Sequence, residues 1–200
     1  VELERVLQLR VTSPQEGLLT NLATVVVTGT TDTDATVKLN DGLLPLDKDG
    51  TFTSAYTLVE GLNILSFIAI DDAGNMAEMT VNVRLDTSRP PLGLEDLQNG
   101  ITTNKPDITF TGRTESGANV TVNGKDVPVT DGKFQSTVQL AEGANLITII
   151  VTDAAGNSNS YSGTVTRDTS PPSLELIQPD EGFRTLETSV VLVGITEPGA

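Results

Sequence analysis

Apolar and polar residues alternate along most of this chain with the two-residue period of a half-buried strand, and a helical period appears nowhere. The alternation begins at Val1, Leu3, Leu7, Leu9 and Val11, with Arg5 interrupting, and predicts a first strand that Ser13 and Pro14 stop. Glu16 and Gly17 turn the chain into Ala23 to Gly29, rich in valine and threonine, whose branched side chains favour the extended conformation. Further strands follow at Ala35 to Asn40, Leu43 to Leu46, Thr51 to Leu58, the very apolar Ile64 to Ile70, and Met76 to Leu85. Asp41-Gly42, Asp47 to Gly50, Glu60 to Asn63 and Asp71 to Asn75 supply the turns between them. Arg89, Pro90 and Pro91 end the run, since proline cannot donate to a sheet ladder.

The same order then recurs. Ile150 to Asn157 repeats Ile68 to Asn75 almost word for word, and Gly74 to Gly156 is a step of 82 residues that also separates Gly50 from Gly132 and Asp86 from Asp168. A period of that length means tandem whole domains and not a solenoid. The expected division is residues 1–86, residues 87–168, and an incomplete start of a third module over residues 169–200, where only two strands, Leu174 to Ile177 and Ser189 to Gly194, are legible. Seven short strands per complete module, separated by regular turn signals, predict an all-β architecture of tandem seven-stranded antiparallel Ig-like sandwiches. On that pattern Leu65, Phe67, Ala69, Ile147, Ile149 and Val151 face the cores, while Ser66, Thr148 and Thr152 face outward. The third piece cannot bury a core of its own, and its open strand edge suggests a strand donated to or taken from a neighbour.

Composition narrows the chemistry. The chain has no cysteine and no histidine, which removes thiol and imidazole catalysis, disulfides and the common zinc sites. Its net charge of -15 repels nucleic acid and anionic lipid. No apolar run approaches the roughly 20 residues that span a bilayer, so neither nucleic acid nor membrane insertion is expected. The chain opens at Val1 without a signal-like stretch and reads as an internal or processed fragment. The carboxylates that recur in both modules sit in turns, and two tyrosines without a tryptophan make a poor sugar platform, so no catalytic residue is expected. Lys38 and Lys125 stand at non-equivalent places and read as solvated, which argues against a lysine crosslink.

Val27 to Thr30, Val37 to Asn40, Gly50 to Phe52, Glu60, Gly61, Asn63, Asp71, Ala73, Gly74, Asn75 and the Asp86 to Pro90 linker together resemble bacterial Ig-like modules of the glucodextranase-B type. The resemblance covers both modules and the third piece. It implies an extracellular stalk, spacer or adhesin segment at the surface of a bacterial or archaeal cell, contacting its neighbouring modules and a cell-surface protein or glycan. A second implication is an accessory module of a secreted polysaccharide-active enzyme; apart from the resemblance, the incomplete piece after Pro172 motivates a subunit that assembles by donating strands to a neighbour. The resemblance also implies that some tandem relatives hold calcium between domains.

Alternating strand directions would bring Asp86 of the linker to the pole of module two that carries Glu115, Asp131, Asp153 and Asn157. Oxygen ligands of this kind suit calcium, which would stiffen the joint; the same carboxylates can equally splay into solvent. Strand Asn75 to Asp86 is roughly 30 Å long at the usual rise, so Asp86 is out of reach of its own module's Asp71. Module one, preceded by Glu4 and Arg5, lacks such a linker and should hold an ion less well.

Overall fold

The computed structural model describes residues 6–197, so Val1, Leu3, Glu4, Arg5, Pro198, Gly199 and Ala200 of the sequence reading lie outside the described residues. Module one contains β1 (Leu9–Ser13), β2 (Leu18–Thr20), β3 (Thr24–Thr31), β4 (Ala35–Leu39), β5 (Gly42–Leu44), β6 (Thr51–Thr57), β7 (Gly61–Asp71) and β8 (Met76–Leu85). They form a three-stranded sheet, β1-β3-β6, and a five-stranded sheet, β2-β8-β7-β4-β5. Module two repeats this with β9 (Gly93–Glu95), β10 (Ile101–Thr103), β11 (Asp107–Arg113), β12 (Asn119–Val122), β13 (Lys125–Val127), β14 (Lys133–Gln139), β15 (Gly143–Thr152) and β16 (Ser158–Arg167). Its sheets are β14-β11-β9 and β10-β16-β15-β12-β13. The chain ends in a hairpin of β17 (Leu174–Gln178) and β18 (Val193–Thr196).

The all-β, Ig-like sandwich expected from the alternation is present, with the strand count corrected from seven to eight per module and one parallel pair added to each. The first strand splits. β1 runs antiparallel to β3, then the chain crosses to the other sheet, where β2 lies parallel to β8 with Leu18 beside Val83. Pro14 has no N–H to continue the first ladder. Glu16 then draws the chain across, its carboxylate accepting from the backbone N and from Nδ2 of Asn82, both at 2.8 Å, while Gly17 N donates to Asn82 O at 2.9 Å. In module two Asn99 takes the part of Glu16: Thr164 N donates to its Oδ1 at 2.8 Å and Gly100 N donates to Thr164 O.

The core lies between the sheets of each module. Leu65, Phe67 and Ala69 on β7, and Ile147, Ile149 and Val151 on β15, are all fully buried, whereas Ser66, Thr148 and Thr152 on the opposite face are only half-buried. Burying an aliphatic or aromatic side chain of this size contributes about 1.5–3 kcal/mol, so these two strands anchor their modules. On β6 it is Tyr56 that packs on the core, and Ala55 is exposed. In the terminal hairpin, by contrast, every residue of β17 and β18 is exposed.

Candidate functional site: the joint between the modules

Each module closes its long hairpin with a turn that begins on an aspartate. Asp71 Oδ1 accepts from the backbone N of Ala73 (3.0 Å) and Asn75 (2.8 Å), and its Oδ2 accepts from Asn75 Nδ2 (2.7 Å). Asp153 does the same with Asn157, at 2.7 Å from its backbone N and 2.8 Å from its Nδ2. Both carboxyls titrate below the ordinary range. For Asp71 the main cause is the Asn75 side chain; for Asp153 burial pushes upward and the hydrogen bonds from Asn157, Gly156 and Ala155 outweigh it. Gly74 and Gly156 complete the turns at φ 86 and 96, a region that costs glycine little. At the opposite corner of each module an asparagine ties its own loop. Asn63 accepts from Val59 N and donates to Val59 O and Gly61 O, and Asn145 accepts from Ala141 N and donates to Ala141 O and Gly143 O. The recurrent aspartates and asparagines therefore hold their own turns, as their place between the strands predicts.

The linker between the modules is held from both sides. On the module-one side, Asp86 N donates to Thr20 O at 2.9 Å, and Thr87 Oγ1 donates to Glu60 at 2.9 Å. The linker also ties itself, since Ser88 N donates to Asp86 Oδ1 at 3.0 Å. On the module-two side, Asn157 Nδ2 donates to Asp86 O at 2.7 Å and Asn159 Nδ2 donates to Pro90 O at 2.9 Å, with Pro90 buried. The turn before β16 also reaches back to module one, because a Cβ on Gly156 would lie 3.5 Å from Asn21 Nδ2.

The structure thus brings three of the five expected residues to one place. Asp86, Asp153 and Asn157 form a chain of hydrogen bonds, although Asp86 joins it through its backbone carbonyl while its carboxylate serves Ser88. Glu115 and Asp131 belong to a second pair of turns, joined by Thr114 N donating to Gly132 O at 2.8 Å. Asp131, at φ 49, lines an open cleft of about 720 Å³ together with Thr130, Lys133, Arg113 and Glu95. There Arg113 Nε donates to Glu95 Oε1 at 3.0 Å, an exposed pair that lowers the Glu95 carboxyl, chiefly through this hydrogen bond. Among the described residues no group of three or more carboxylates gathers to hold a metal ion. Sequence reasoning missed Asn159, Glu60 and Thr87 as joint residues. The last two had a signal: Glu142 and Thr169 stand in the same relation one period later and make the same bond at 3.0 Å.

Comparison with known proteins agrees with this architecture. The family model described as glucodextranase, domain B, matches twice, over residues 7–87 and 90–169. Bacillopeptidase F of Bacillus subtilis (strain 168) is 31% identical over 179 residues, covering 86% of this chain but 12% of that protein. Among solved structures, the fibronectin(III)-like modules of Clostridium thermocellum CbhA superpose with a TM-score of 0.51 at 15% identity, over 80% of this chain and 94% of that one, a likeness of fold alone. With both complete modules matched from their first core residue to their linkers, the chain belongs to the glucodextranase domain B family and carries two consecutive copies of that domain.

Proposed function

We propose that this chain is a non-catalytic spacer, an accessory segment of a longer extracellular bacterial protein that holds the parts on either side of it at a fixed distance and angle. The observation that carries this reading is the doubly tied linker: Glu60 and Thr20 fix its first half to module one, and Asn157 and Asn159 fix its second half to module two. A free linker of this length would let the modules hinge, the default for domains with small interfaces. Each tie contributes only about 0.5–1.5 kcal/mol net, but several acting on the seven residues between β8 and β9 leave the linker few conformations. The high acidic charge keeps such a rod solvated. A family named for a glucodextranase and a relative named as a peptidase favour an enzyme as the parent over an adhesin.

Calcium is the competing way to stiffen the joint, and it would have to take Asp86 and Asp153 from Ser88 and Asn157. Small-angle scattering and backbone NMR relaxation on the chain, with calcium and with chelator, separate the two. The spacer reading expects one inter-module orientation in wild type with or without chelator, and a broad distribution in Asn157→Ala/Asn159→Ala. Equal flexibility in wild type and the double variant would end the proposal, and stiffening that appears only with calcium would move the cause to an ion.

A further inference from the structure

The β17–β18 pair copies the pairing register of β1 and β3 in module one position for position. In module one, Leu9 pairs with Thr31, Arg10 with Thr30, Val11 with Gly29, and Ser13 with Thr28 after a register shift. In the hairpin, Leu174 pairs with Thr196, Glu175 with Ile195, Leu176 with Gly194, and Gln178 with Val193 after the same shift, each position lying 165 residues further on. Gly194 therefore stands where Gly29 stands, and Gly112 is the counterpart in module two, opposite Phe134 on β14 as Gly29 is opposite Phe52 on β6.

The two earlier glycines share one purpose, and Gly29 has a second, since a Cβ there would also run into the backbone oxygen of Arg10 on β1. A Cβ on Gly29 would overlap the ring of Phe52, and a Cβ on Gly112 would overlap the ring of Phe134, so each glycine is the seat on which the phenylalanine of the neighbouring strand lies. At Gly194 the seat is formed but holds no ring: the three atoms nearest to a Cβ there would be Glu175 O at 3.0 Å, Leu174 Cδ1 at 3.7 Å and Glu175 C at 3.9 Å, none of them aromatic. Around it the side chains that face inward in module one are uncovered here. Leu174 and Leu176 correspond to Leu9 and Val11, and Val190 and Leu192 to Val25 and Val27, yet all four are exposed. Two strands cannot bury such a face, and a free edge beside it recruits a further strand.

We propose that β17–β18 is the receiving half of a third sandwich. Its occupant is a strand of the β6 and β14 type, carrying phenylalanine opposite Gly194 and followed by the five-stranded sheet, all in the same polypeptide as the hairpin. The same-chain source follows from the short connections in the complete modules, where β3 passes to β4 through three residues and the inserted strand arrives soon after. This inference does not depend on the spacer reading.

The test keeps residues 1–197 and replaces the three that follow with the corresponding stretch of a complete module, residues 33–86 in one version and 116–168 in another. Hydrogen exchange then reads residues 190–196. At least ten-fold slower exchange than in the unextended chain is expected in one version or both, lost again when Gly194→Ala or the donor's phenylalanine→Ala is introduced. In the unextended chain the same Gly194→Ala meets no ring, only the backbone oxygen of Glu175 at 3.0 Å, so its effect on exchange there should be smaller than in the extended versions. Unchanged exchange in both extended versions would overturn the proposal, as would slow exchange that survives Gly194→Ala. Concentration-dependent protection in the unextended chain would also overturn it by assigning the seat to a second copy.

Discussion

Modules one and two share their turns and differ in their cores. Val27 and Phe110 occupy the same place, opposite Ser54 and Ser136, and Phe67 and Ile149 occupy the same place, opposite Leu39 and Val122. The second phenylalanine of each core has therefore moved from one sheet to the facing one: module one stacks Phe52 on Phe67 with centroids 6.1 Å apart, while module two places Phe110 beside β14. A second exchange lies on β8 and β16. Met79 and Val81 of module one become Tyr161 and Gly163 in module two, and the tyrosine ring lies in the space that a side chain on Gly163 would fill. The hydrogen-bonded turns are nearly identical, so the comparison separates two tasks. Polar side chains in turns set where the chain reverses, and total volume, wherever it sits, fills the interior.

The largest effect should come from breaking the first exchange. Val27→Phe alone forces an extra ring into a core that already holds Phe52 and Phe67, at a cost of about 1–3 kcal/mol. Phe67→Ile alone leaves space unfilled. If the two positions trade volume, Val27→Phe/Phe67→Ile should be more stable than the sum of the single losses by about 0.5–3 kcal/mol, the usual size of coupling between touching sites. Urea unfolding of the chain and its variants, followed in module one, measures this. Additive losses would show that the two cores are independent solutions and not one solution with the ring moved.

A smaller effect separates the tyrosines. Tyr56 Oη accepts from Asn40 Nδ2 at 2.9 Å, but Tyr161 Oη is buried among the described residues with no hydrogen-bond partner. An unpaired buried hydroxyl is a cost, and a paired one a modest gain. Tyr161→Phe should therefore leave module two equally stable or more stable by about 1 kcal/mol, while Tyr56→Phe should destabilise module one by about 1 kcal/mol. Thermal unfolding with the two transitions resolved gives the signs, and a destabilising Tyr161→Phe would show that its hydroxyl has a partner.

These differences also show why some of the molecule was legible in advance and some was not. β7 and β15 were readable because they are strongly apolar runs in which Ser66, Thr148 and Thr152 mark the outward face, opposite the buried Leu65, Phe67 and Ala69 and the buried Ile147, Ile149 and Val151. β2 and β10 were hidden because three residues are too few to alternate, and their partners, Val83 to Leu85 and Val165 to Arg167, lie far away in sequence. At the joint, alternating strand directions placed Asp86 beside Asn157 correctly. The means of contact was not visible, since every residue has a carbonyl and nothing in the sequence marks Asp86 O and Pro90 O as the ones that accept from module two. Asn159 carried no repeat signal at all, because its counterpart in module one is Ala77.

The smallest expected effect concerns acid. Asp71 and Asp153 both titrate below the unfolded aspartate value of about 3.9. A carboxyl depressed in the folded state binds protons less readily there than in the unfolded chain, so its contribution to stability is complete above about pH 4 and fades as pH falls through the folded value. The two turns should respond differently to losing their asparagine. At Asp71 the Asn75 side chain is the leading cause of the shift, whereas at Asp153 the leading influence is burial, which opposes ionisation and is overcome only by several hydrogen bonds together. Asn157→Ala removes one of those bonds and leaves burial in place, so the Asp153 carboxyl should rise and module two should begin to lose stability at a higher pH than in wild type. Module one, with Asn75 intact, should keep its onset. Carboxyl-carbon NMR titration of Asp71 and Asp153, with unfolding followed from pH 6 downward, reads both halves of this statement. If the module-two onset in Asn157→Ala coincides with wild type, the asparagine serves the linker alone and contributes nothing to holding Asp153 ionised.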